Sequence, residues 1–125
     1  MWSYADDVTI FGGYGAYEQG WDKVGPRVNW AAARFLCATG GAYEALAADC
    51  IGELGYATGI ERCHATVADR ADPAEIVLRV THLFRREQGR WKLCHRHADA
   101  VTAVIAPEAL VQRPVAAQSM DGPPR

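Results

Sequence analysis

The sequence predicts one small α+β domain in which a single helix is followed by a run of long strands. Three observations carry this expectation. Val24, Val28, Ala31, Ala32 and Phe35 recur at three- and four-residue steps and give residues 21–36 one apolar helical face. Segments over residues 43–51, 56–67, 76–87 and 90–101 read as strands rich in β-branched, aromatic and alternating side chains. The last two of these are separated only by Gln88-Gly89, the length of a tight hairpin. A chain of 125 residues fits one domain and is long enough to bury a core without disulfide or metal staples.

Before the helix, Val8-Thr9-Ile10-Phe11 is a short strand that runs into Gly12-Gly13, and residues 14–19 form a second short strand or a loop ending at Gly20. Pro26 lies early in the helix, where its missing N–H does least harm, and marks the start of the main helix after a short turn around Asp22. Thr39-Gly40-Gly41 is the expected helix stop. Residues 68–73, rich in Asp and Ala with a proline, link the second and third long strands, and the final strand extends to Val101 or as far as Ile105. Residues 1–105 form the domain. Residues 106–125 contain Pro107, Pro114, Pro123 and Pro124 and are a mobile tail, with room for one helical turn over residues 108–112.

A net charge of −2 offers no basic footprint for nucleic acid, and no apolar run is long enough to span a membrane. The first residues lack the basic start and apolar stretch of a secretory leader. Cys37, Cys50, Cys63 and Cys94 are widely spaced and form no C-x-x-C pair, so they are expected as reduced, buried residues of a cytoplasmic protein.

The Gln88-Gly89 loop places Glu87 opposite Arg90, and regular pairing then sets Arg86 opposite Trp91, Phe84 opposite Leu93, His82 opposite His95 and Val80 opposite His97. Side-chain alternation makes two faces. One carries His82, Phe84, Trp91, Leu93, His95, His97 and Asp99; the other carries Arg79, Thr81, Arg85, Cys94, Arg96 and Ala98. His82, His95, His97 and Asp99 are the best set of metal donors in the chain. A plainer use for them is as half-buried interface residues, and neither a metal nor another cofactor is expected. Arg79 and Arg96, as neighbours on adjacent strands, need an anionic partner, and Glu61 on the preceding strand can supply it. Two readings stand side by side: guanidinium forks that hold a ligand's carboxylate or enolate-like oxygen, or an Arg–Glu network that satisfies only itself.

The stretch Ala5-Asp6-Asp7-Val8-Thr9-Ile10-Phe11-Gly12-Gly13 with Gly20-Trp21 resembles the opening of SnoaL-like domains of the nuclear transport factor 2-like superfamily. So does Leu78-Arg79-Val80-Thr81-His82-Leu83-Phe84-Arg85-Arg86 with Gly89-Arg90-Trp91 and the His95-Arg96-His97 run that follows. The latter pattern is also similar to the association domain of calcium/calmodulin-dependent kinases. The resemblance implies a strongly curved, mostly antiparallel sheet, the ketosteroid isomerase-like cone, with helices closing its concave side and the convex side serving as a homodimer interface. It implies that Arg79, Thr81 and Arg96 look inward with Phe11, Trp21 and Trp30 as apolar wall, and that Glu61, held by Arg79, is the acid–base group of any reaction. The face with Trp91, Leu93, His95 and His97 then looks toward the partner. Two departures matter. Ketosteroid isomerase catalytic positions resemble Gly12 and Thr81 here, which lack the carboxyls, and its tyrosine belongs to a helix that precedes the matching segment. Arginines of the kinase association pocket resemble Glu61, Thr81 and Ala98.

The expected function is therefore a cavity that binds, or binds and converts, a small partly apolar molecule with a carboxylate or carbonyl oxygen. Any conversion would be of isomerase or lyase type. The alternative is a non-catalytic dimerisation or assembly domain. Because the long first helix of such domains has no counterpart after Met1, the expectation is that the chain is internal to a longer gene product, or that a neighbouring subunit or the C-terminal tail covers the opening.

Overall fold

A computed structural model describes residues 1–33, 35–67 and 71–111. Its elements are β1 (Thr9–Phe11), β2 (Tyr17–Gln19), α1 (Trp21–Ala32), β3 (Phe35–Ile51), β4 (Leu54–Val67), β5 (Ala74–Glu87), β6 (Arg90–Asp99) and a short 3-10 turn (Pro107–Leu110). The strands form one curved, unclosed sheet in the order β2-β1-β6-β5-β4-β3. All neighbours are antiparallel except β1 and β6, which run parallel. The mixed α+β class and the curved sheet agree with expectation.

Two boundaries differ. The helix ends at Ala32, and β3 begins at Phe35 rather than at residue 43. Phe35 pairs with Val67 and Leu36 with Thr66, so ladder bonds to β4 claim residues whose spacing also suits a helix. Thr39-Gly40-Gly41 is thus a strand interior, not a helix stop, and bulges flank it. Pro26 lies within α1 rather than at its start. Residues 68–70 of the expected loop, the Cys37 side chain and the tail from residue 112 lie outside the described residues. Cys50, Cys63 and Cys94 are free thiols, but Cys50 is exposed on β3, contrary to the expectation of burial.

The core is small and lies at the α1 end of the sheet. Val8, Ile10 and Val24 are buried together, with Trp2, Ala5, Trp21, Val28 and Cys94 packed around them. Gly25 makes room for this packing: a Cβ there would come within 3.0 Å of the Trp21 indole. The chain start is tied to β6 by Ser3 N–H donating to the Leu93 carbonyl at 2.9 Å and Leu93 N–H donating to the Met1 carbonyl at 2.8 Å. Arg85 reinforces it, bonding both Asp7 oxygens at 2.6 and 2.7 Å and Glu87 at 2.7 Å, while the buried Ser3 hydroxyl donates to Glu87. At the far end, among the described residues, α1 makes no comparable packing on β3 or β4, and every described residue from 41 to 54 is exposed.

The β5–β6 hairpin turns at Gln88-Gly89 as expected, with Glu87 opposite Arg90 and Phe84 opposite Leu93. Cys94 is then an extra residue. His95, not Leu93's regular successor, stands opposite Leu83, so His82 faces Arg96, Thr81 faces His97, Val80 faces Ala98 and Arg79 faces Asp99. The bulge overturns the expected pairing of His82 with His95 and of Val80 with His97. It also moves every later β6 side chain to the opposite face relative to β5.

Candidate functional site

Below the bulge the inner face, toward α1, carries Ile76, Leu78 and His82 of β5, Arg96 of β6, Ile10 of β1 and Glu61 of β4. A cavity of about 250 Å³ lies between this face and α1, walled chiefly by Ile10, Tyr14, Ala31, Ile76 and Leu78. Among the described residues, the charged groups on its wall are Arg27 and Arg96. Arg27 is 4% exposed, donates to the Gly15 carbonyl at 2.8 Å and lies 5.3 Å from the Trp30 ring centre.

Arg96 joins the cavity to a polar cluster. Its two terminal nitrogens donate to the two oxygens of Glu61 at 3.0 and 3.1 Å, a bidentate pair. The nitrogen nearer β5 also donates to His82 Nε2 at 2.9 Å. An arginine can only donate, so His82 is the neutral imidazole with its proton on Nδ1. Partial burial, and then the Arg96 charge, hold the His82 pKa below the ordinary value of 6.5. Tyr43 completes the group: it pairs with Glu61 across β3 and β4, and its ring centre lies 5.7 Å from His82. Burial and the nearby Glu61 carboxylate raise the Tyr43 phenol above 10.0, so it stays a neutral O–H. Gly59 permits this placement, because a Cβ there would overlap the Glu44 carbonyl and lie 2.8 Å from Tyr43 Cζ.

Of the residues singled out from the sequence, Arg96 and Glu61 come together and Arg96 lines the cavity. Arg79 does not join them. It lies on the outer face, its side chain 54% exposed, in a bidentate pair with Asp99 at 2.7 and 2.8 Å. Glu61 is therefore held by Arg96 and not by Arg79. Thr81 also faces outward, beside Arg79, His97 and Asp99 in a shallow groove. Phe11 is an outer-face residue too, edge-on to Tyr17, His95 and His97, and does not wall the cavity. Trp21 packs on Trp2 and Tyr4 beside the core, and Trp30 backs the cavity through its edge contact with Tyr14 at 5.1 Å. Trp91 is away from His95 and His97, under the Arg86 guanidinium at 4.9 Å.

The four residues that formed the best metal set are divided by the bulge. His82 is inside with Arg96, while His95 bonds Thr9 at 2.7 Å and His97 approaches Asp99 at 3.6 Å outside. Among the described residues no group of three His, Cys, Asp or Glu is disposed to hold a metal ion. The sequence pattern did not single out Tyr43, Tyr14 or Arg27. A signal existed for Arg27, which recurs with Val24, Val28 and Ala31 on the apolar face of α1. None existed for Tyr43, whose pairing with Glu61 depends on a β3 bulge at Leu46.

A curved, mostly antiparallel sheet with one helix on one face is the fold seen in nuclear transport factor 2-like proteins. The chain belongs to the SnoaL-like domain family, whose model matches residues 1–103. It is similar to a solved candidate dehydratase of the NTF2-like family from Streptomyces avermitilis, with a TM-score of 0.65 and 20% identity over 77% of this chain and 68% of that one. It is also similar to a candidate calcium/calmodulin-dependent protein kinase II association domain from Xanthomonas campestris, with TM-score 0.67 and 12% identity over 81% and 71% of the two chains. A nuclear transport factor 2-like superfamily protein from Salmonella enterica gives TM-score 0.68 and 12% identity over 86% and 78%. No curated protein matches at a significant level. No helix among the described residues is long and apolar enough to cross a membrane.

Proposed function

We propose that this domain binds a small, partly apolar molecule bearing a carboxylate or carbonyl oxygen, with the apolar part between α1 and the sheet and the oxygen at Arg96. The observation that carries the reading is a largely apolar cavity whose charged wall groups are both guanidiniums. An anionic oxygen complements such a wall, and a cation does not. Where the bound molecule is also converted, the groups at hand suit an isomerase- or lyase-type proton transfer. Glu61 or His82 would move the proton and neutral Tyr43 would donate to a developing oxyanion. The similarity to a candidate dehydratase, a lyase, is in keeping with that class. The free thiols support a cytoplasmic setting.

Thermal-shift measurements with acetate, benzoate and phenylacetate, each set against its neutral amide, test the reading. The acids are expected to raise the melting temperature by mass action. That rise should vanish in Arg96→Met and persist in Arg79→Met. No shift with any acid, or equal shifts in both variants, contradicts it.

The second reading, an assembly domain, rests on the outer face, where Phe11 is 43% and Tyr17 62% exposed beside His95 and His97. A homodimer through this face is compatible with a ligand cavity on the other side. Similarity to a candidate kinase association domain points the same way.

A further inference from the structure

Arg96 is shared three ways, among the cavity, Glu61 and His82. One of its nitrogens serves both neighbours at once, at 3.1 Å to Glu61 and 2.9 Å to His82 Nε2. The cluster as it stands is neutral overall: one guanidinium, one carboxylate and one uncharged imidazole. It is also partly buried, the Arg96 side chain being 22% and Glu61 35% exposed. A carboxylate that enters the cavity and takes Arg96 as its partner upsets that balance in two ways. Glu61 loses its ion pair, and the group as a whole becomes an anion. Uncompensated charge of this kind, away from full solvation, is costly.

We propose that Arg96 couples cavity occupancy to proton uptake: a carboxylate that takes Arg96 from Glu61 is accompanied by one proton from solvent, which binds His82 Nε2, and the imidazolium then pairs with Glu61. The inference rests on the anion-binding reading above. The exchange is balanced. Before binding, Arg96 and Glu61 form one ion pair beside a neutral His82. Afterwards the ligand and Arg96 form one pair, His82 and Glu61 another, and the net charge is again zero.

The geometry makes His82 the acceptor. Its Nε2 lone pair is occupied by the Arg96 donor and becomes available when that donor turns to the ligand. The other groups that face it are Tyr43 from β3, a raised phenol that stays neutral, and Glu61 from β4, whose charge favours the imidazolium; His95 of β6 lies on the outer face and has the weakest electrostatic effect on it. Linkage fixes the sign: a ligand whose binding takes up a proton binds more tightly as pH falls. Affinity should therefore weaken by up to about tenfold per pH unit above the free His82 value, until the bound-state value is passed.

The test is calorimetry of benzoate binding to the full chain at about pH 7, in phosphate and in Tris, whose ionisation enthalpies differ. The slope of the measured heat against buffer enthalpy counts the protons. Uptake approaching one proton in the wild type, near zero in His82→Gln, with the His82 ring moving to its protonated NMR position on saturation, is the expected result. Glu61→Gln should reduce the uptake as well, because the imidazolium loses its partner. Benzoate that binds without proton uptake, or with the same uptake in His82→Gln, overturns the coupling while leaving the cavity reading intact. Failure of benzoate, acetate and phenylacetate alike to bind overturns both.

Discussion

Arg96 donates to His82 Nε2 across 2.9 Å from directly opposite positions on β6 and β5. That bond fixes the imidazole tautomer, keeps the ring uncharged, and links a cavity under α1 to a carboxylate on β4. It exists because Cys94 is bulged; without the extra residue Arg96 would look out of the other side of the sheet from His82.

Removing the guanidinium should release the histidine. In Arg96→Met the His82 pKa is expected to rise toward its ordinary value, because one of the two main causes that lower it is gone. Imidazole NMR titration of the ligand-free protein reads this directly, and an unchanged or lower value would mean burial alone sets it.

Stability should depend on pH near neutrality. His82 and His95 are both lowered in the folded state, chiefly by burial. The unfolded chain then binds more protons in the window just below 6.5, so stability is fully present above that window and declines as pH falls through it. Asp7 and Asp99, lowered by their arginine partners, add a second loss at lower pH, as pH falls below their ordinary value of 3.8. Urea midpoints from pH 8 to 5 should fall for the wild type and fall less for His82→Gln combined with His95→Gln. A flat profile refutes the first window.

Gly59→Ala should be costly for its size. The added methyl would meet the Glu44 backbone carbonyl, which cannot swing away, and the Tyr43 ring. A loss of about 1–3 kcal/mol is expected from overpacking of this kind. The Tyr43 ring resonances should move with it. Stability equal to the wild type would show that β3 yields easily at this point.

Gln88→Asn should stabilise. Gln88 has φ 52° and Gly89 φ 76°, the left-handed pair of a tight hairpin turn in which asparagine outperforms glutamine. A gain of up to about 1 kcal/mol is expected, since the cost of positive φ falls for an asparagine. Chemical denaturation checks it, and destabilisation would contradict the turn assignment.

A homodimer through the outer face predicts that Phe11→Arg yields monomer by sedimentation at micromolar concentration, with the fold retained by circular dichroism. Wild-type protein that is already monomeric at neutral pH dismisses the interface. If His95 and His97 are buried in it uncharged, association should also weaken on acidification from pH 8 to 5.

Much of the architecture was legible in the residues. The Gln88-Gly89 turn, the long strands and the helix after Gly20-Trp21 are local matters of turn chemistry and periodicity. That Glu61 would pair with an arginine of the hairpin was legible because charged residues on half-buried strands need partners, but the expected holder was Arg79 and the structure supplies Arg96. What the chain order could not reveal was which face each polar residue occupies. Side chains alternate with a period of two, so one bulged residue reverses the assignment of all that follow. Cys94, which carries no glycine or other bulge signal, sent Arg79 and Thr81 outward and brought His82 inward. The same logic at Leu46 set Tyr43 beside Glu61. Local sequence determined that strands and a hairpin would form here; the tertiary pairing of those strands decided which of their side chains make the site.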